Sequence, residues 1–107
     1  MSVVKESLAL IENGETESNA VDLGELAVVG LQNGTLTSTA FTFLASYDGI
    51  TYVAVKRVDG TAYSITVASD TYTVIPPIDL AGVRFLKIVA GSTELADRNI
   101  RVMVRAV

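Results

Sequence analysis

The chain has 107 residues, half of them hydrophobic, and its 8 basic and 12 acidic side chains leave a net charge of -4. That length accommodates one domain around one core, residues 1–107, and an acidic balance with a pI near 4.6 argues against neutralising nucleic-acid phosphates. The sequence contains no cysteine and no histidine, which removes disulfides, thiolate metal sites, histidine-based triads and the usual general base near neutral pH.

From the N-terminus, Val3 to Ile11 reads as a first strand, and residues 1–12 are also a candidate N-terminal contact arm. Lys5 and Glu6 precede a short Leu8–Ile11 run that Glu12 ends, so no secretory signal peptide is expected. Ser18 to Leu23 and Leu26 to Leu31 follow as strands, separated by turn-forming Asn13-Gly14 from the first and ended by Asn33-Gly34. The apolar runs are far shorter than the roughly 18 residues of a membrane-spanning helix, so no membrane partner is expected.

Ala40 to Tyr47 alternates Phe41, Phe43, Ala45 and Tyr47 against Thr42, Leu44 and Ser46, which predicts an aromatic ridge between packed sheets. Asp48-Gly49 then predicts a tight type I′ hairpin to a strand over Thr51 to Val58. Asp59-Gly60 marks the next reversal, before strands at Ala62 to Val67 and Thr71 to Ile75. Pro76-Pro77 ends the latter, and Ile78 to Gly82 reads as one helical turn with Asp79 as its cap, crossing between layers. Val83 to Ala90 and Asn99 to Val107 complete nine runs, the last with Ile100, Val102, Val104 and Ala106 facing a core and Arg101, Met103 and Arg105 facing water. The expected fold is an all-β, antiparallel, jelly-roll-like β-sandwich of about eight to nine short strands.

No catalytic, cofactor or metal-binding residues emerge. The acids sit mostly at predicted turns, no stretch matches an acidic calcium loop, and the glycines are scattered singly, so the chain reads as a non-enzyme without cofactors. Mean hydropathy of +0.44 is high for so small a protein and points to surplus apolar surface facing a partner. Acids crowd residues 1–25 (Glu6, Glu12, Glu15, Glu17, Asp22, Glu25), whereas the last ten residues hold Arg98, Arg101 and Arg105 and no acid. Two readings stand: solvated strand faces, or polar complementarity between subunits.

The stretch AFTFLASYDGITYVAVKRV, Ala40 to Val58, resembles a pattern in small structural proteins of tailed bacteriophages: an aromatic-rich strand, then S-x-D-G-x-T-Y, then a strand. YTVIPPIDLAGVRFLKIVAG, Tyr72 to Gly91, and more loosely NAVDLGELAVVGLQ, Asn19 to Gln32, extend the likeness over most of the chain. S-x-D-G-x-T-Y also occurs in discoidin-like sugar-binding β-sandwiches. Between Gly91 and Arg98 this chain has only STELAD, where the phage group carries a longer insertion.

The resemblance implies a virion subunit that is made in the host cytoplasm and decorates the capsid surface. Its implied partners are the major capsid protein and further copies of itself, with a homotrimer suiting the three-fold positions of a capsid lattice. Interface candidates are Val3, Val4 and Leu8 on the arm, Asn33, Thr35 and Thr37 in one loop, Ser92 and Glu94 in another, and Arg101 and Arg105 on the last strand. The alternative is a glycan-binding module of a phage fibre, with Tyr47, Tyr52, Tyr63 or Tyr72 stacking on sugars; absent tryptophan and the packing role of strand tyrosines count against it.

Overall fold

Nine short runs of β-branched and aromatic residues become nine strands, because each supplies an apolar face that only a second layer can cover. In the computed structural model, which describes residues 4–106, the strands are β1 Lys5–Ile11, β2 Val21–Asp22, β3 Ala27–Asn33, β4 Ala40–Ser46, β5 Val53–Ala54, β6 Ser64–Thr66, β7 Tyr72–Val74, β8 Phe85–Ala90 and β9 Arg98–Arg105. All pair antiparallel, in one sheet ordered β1-β9-β3-β7 and another ordered β2-β8-β4-β5, with β6 also on β4.

Strands β5 and β6 are two halves of one edge strand. Leu44 and Ala45 of β4 face Ala54 and Val53, whereas Ala40 to Thr42 face Thr66 to Ser64 on the same side. Counted so, eight strands divide into two sheets as first-eighth-third-sixth and second-seventh-fourth-fifth, which is the jelly-roll order.

Between the layers lie Phe41, Phe43, Leu31, Ile75, Leu80, Leu86, Ile88, Ile100 and Val102, all fully or almost fully buried. Burying side chains of this size stabilises the fold by about 1.5–3 kcal/mol each before conformational entropy is set against it. On β9 the alternation is as expected: Ile100, Val102 and Val104 are buried, Arg101 and Arg105 exposed, with Ala106 already in water beyond the strand.

Four local expectations are corrected. Over Lys5–Ile11 the expected arm is a paired strand, its Leu8 set opposite Arg101 of β9. The Asp48-Gly49 segment is no two-residue hairpin: the loop runs from Tyr47 to Tyr52, and only Gly49 takes a positive φ, 77°. The Asp48 carboxylate accepts from the amides of Ile50 and Thr51, and the Ser46 hydroxyl accepts from Gly49, so side chains hold a wider loop open. Tyr47 therefore leaves the aromatic ridge and is 86% exposed. Finally, Ile78 to Gly82 forms successive turns, closed by Asp79 N–H to Pro76 O and Val83 N–H to Leu80 O, and the Asp79 carboxylate accepts from the Tyr63 hydroxyl instead of capping a helix.

Candidate functional site

The expected interface residues do not converge on one patch. Val3 lies outside the described residues. Val4 is exposed just before β1 and Leu8 on it, Thr35 and Thr37 on the loop after β3, Ser92 after β8, and Arg105 at the end of β9. Arg101 is committed within the chain, its guanidinium 2.9 Å from Glu6 on the neighbouring strand. Of the C-terminal arginines, this leaves Arg105 without an ion pair among the described residues, because Arg98 pairs with Glu94.

Asn33 and Glu94 are interior, so neither can present a side chain to a partner. Asn33 donates from its amide nitrogen to the carbonyls of Gly34 and Ala68, tying the end of β3 to the turn before β7. Glu94 is wholly buried and accepts from the Ser38 hydroxyl at 2.5 Å, the amides of Thr37 and Ser38 at 2.8 and 3.0 Å, and Arg98 Nε at 2.9 Å. Burial alone would push this carboxyl up, but the Ser38 hydroxyl, the Thr37 amide, Arg98 and the Ser38 amide outweigh it and hold Glu94 at about 2. Its backbone adds two bonds to the turn at Gly14 and Glu15, so one residue joins three loops. An acid in a short polar segment reads as solvated; the available signal was Arg98 four residues on, which forms the ion pair.

What the sequence reading missed as surface is one side of the sandwich, where β7 faces the split edge strand. No backbone hydrogen bond joins β7 to β5 or β6 among the described residues. Two open grooves run there. One, lined by Ala45, Tyr47, Val53 and Val83, is a mouth between the start of β5 and the segment entering β8, with Ile50 exposed on the adjoining loop. The other lies between the Val55–Tyr63 hairpin and the crossover at Ile78-Asp79.

That hairpin projects from the sheet at the point where the edge strand is interrupted. Val55 N–H reaches Phe43 O and Tyr63 N–H reaches Val55 O, so the strand leaves β4 and returns to it at one residue. Beyond that point Lys56 bridges Ala62, and Arg57 N–H bonds Thr61 O around a turn whose Gly60 takes φ 89°. The base is clamped: the Tyr63 ring is 5.8 Å from Phe43, Arg57 lies 4.7 Å over it, and its hydroxyl donates to Asp79 at 2.7 Å. Burial, then the Asp79 bond, pushes the Tyr63 phenol up to about 12. At the tip Val58 is fully exposed, between Arg57 and Asp59 in the chain.

The tyrosines form no stacking platform. Tyr63 is buried, Tyr52 lies beneath the Lys87 ammonium at 4.5 Å, and Tyr72 covers Gly30 so closely that a Cβ there would come within 2.5 Å of its ring. Only Tyr47 is free. Among the described residues no three acidic side chains converge to hold a metal ion.

No known protein family matches the chain, and no curated protein is significantly similar to it in sequence.

Proposed function

We propose that this chain is a structural virion subunit, a capsid decoration protein that binds the major capsid protein and further copies of itself, a homotrimer being the state that three-fold lattice positions favour. The single observation that carries the reading is the open side of the jelly roll. There Tyr47, Ile50, Val53, Val58 and Ile78, each at least 63% exposed, line one side of the sandwich. Apolar exposure on that scale is ordinarily covered by another protein surface. The phage-like stretch Ala40 to Val58 supplies four of those five residues, and the other phage-like stretch, Tyr72 to Gly91, supplies Ile78.

In this reading the mouth at Tyr47, Ile50 and Val53 meets the capsid protein and works by burial and shape, with no chemistry performed. The fold adds only an analogy, since jelly rolls serve both capsids and lectins. Against the glycan alternative stands the dispersal of the tyrosines described above.

Electron microscopy of virions that carry this chain tests the reading: density of about 11.3 kDa per subunit is expected on the head lattice. Density at the tail alone, or tight polysaccharide binding without capsid binding, overturns it. Tyr47→Ala combined with Ile50→Asp is expected to abolish co-sedimentation with heads and leave the melting curve unchanged.

A further inference from the structure

The side of the sandwich opposite the hairpin carries an open groove with an acidic lining. Glu12, Glu15 and Glu17 rim it, Leu10 contributes the apolar part, and Ser18 and Asn19 complete it. The Glu12–Glu15 turn is held by Glu15 N–H to Glu12 O, which leaves both side chains in water. Glu17 is partly answered by Lys87 at 3.4 Å; among the described residues Glu12 and Glu15 enter no ion pair.

The hairpin is the convex counterpart. It projects the exposed Val58 just after Lys56 and Arg57; neither cation is ion-paired among the described residues, and the Arg57 guanidinium lies over the Tyr63 ring. Asp59, the one acid on it, is exposed and accepts from the Thr61 amide and hydroxyl of the same turn at 2.9 and 2.7 Å. The hairpin thus carries two cations to one acid around its exposed valine, and the groove offers Leu10 within a negative rim.

We infer that the Val55–Tyr63 hairpin of one copy docks into the Leu10–Asn19 groove of a second copy, with Val58 against Leu10 and Lys56 and Arg57 against Glu12, Glu15 and Glu17. Complementary potentials of this kind set partner and orientation more than raw affinity. Hairpin and groove sit at opposite edges of the same sheet, beyond β5 and beside β2. The contact is therefore head-to-tail and closes into a ring or extends as a filament according to the rotation between copies. It deepens the decoration reading by naming the self-contact, and it leaves the Tyr47 mouth free for the capsid.

The test is a charge swap read by sedimentation equilibrium. Lys56→Glu with Val58→Glu alters the hairpin, and Glu12→Lys with Glu15→Lys alters the groove; all four side chains are exposed, and circular dichroism melts check folding. Wild type is expected to show concentration-dependent mass above the monomer that weakens with salt, as screening requires. Each variant alone is expected to dissociate at least about tenfold more readily, and an equimolar mixture of the two to reassemble, because each altered surface then meets its complement. Should a variant misfold, Val58→Cys with Glu15→Cys in one chain replaces it: the protein has no native cysteine, and oxidation is expected to link neighbouring copies.

Monomeric wild type, variants that assemble like wild type, or a mixture that stays apart each overturn the inference. A monomer that still decorates heads sinks the inference alone. An assembly that ignores heads sinks the decoration reading alone.

Discussion

The two long sides of this sandwich are finished in opposite ways. On the β1–β2 side the chain leaving β1 stitches the layers together at once: Ser18 bridges Ile11, its amide reaches Ile88 O, and its hydroxyl accepts from Ile88 N–H at 2.9 Å. Asn19 closes the rest, its side-chain oxygen accepting from Leu10 N–H at 2.7 Å. On the β5–β7 side no such stitch exists among the described residues; valines, Ile78 and Tyr47 stand in water instead. Short polar side chains can stand in for a missing strand and satisfy an edge. Where they are withheld, the edge stays open, so the two sides differ in how the layers are joined and in how much apolar surface they leave in water.

The comparison can be broken most severely at Glu94, the knot beside the stitched side. Glu94→Ala is expected to cost about 3–5 kcal/mol in urea denaturation, because it leaves Arg98 and two buried amides without their acceptor. Acid probes the same residue. Its folded value of about 2 lies below the ordinary 4.5, so between those values the unfolded chain binds the proton first, and stability present above pH 4.5 is lost as pH falls through the window. The loss is on the order of 3 kcal/mol, and Glu94→Gln is expected to flatten that part of the profile.

Smaller effects sharpen the contrast. Ser18→Ala removes the acceptor of Ile88 N–H and is expected to cost about 1–3 kcal/mol, with amide exchange quickening at Ile88. Tyr63→Phe removes the bond to Asp79 for about 1 kcal/mol, and its exchange change is expected over residues 56–62, with the stitched side unmoved. Val58→Asp is expected to change stability by less than about 0.5 kcal/mol and yet to weaken self-association, since its side chain touches water alone.

Much of the fold was legible because it is written in alternation and turn residues. All nine strand readings meet a strand, even where only Val53–Ala54 or Val21–Asp22 survives of a longer run. Those trims are non-local: a strand extends only as far as a neighbour pairs with it, and the neighbour of β5 is lost once the hairpin departs. The Asp48 loop was misread because Asp-Gly favours a tight hairpin unless a hydroxyl such as that of Ser46 offers the backbone another partner. Of the site, only the surplus of apolar surface was visible. Which side carries it depends on the pairing of elements far apart in sequence, and so does the burial of Glu94 among donors from residues 37, 38 and 98.

The interruption of the edge strand has a consequence for modularity. Phe43 faces the edge strand where Val55 departs and Tyr63 returns, and the partners of β4 are displaced by eight residues between the two halves. Eight is even, so side chains keep their face on both sides of the insertion, as Val53 and Ile65 show by siding with Ala45 and Phe41. Excising residues 55–62 would join Ala54 to Tyr63 as one unbroken strand with every side chain facing as before. The hairpin is in that sense a detachable cassette, an insert of even length that the edge strand carries without changing which way its side chains face.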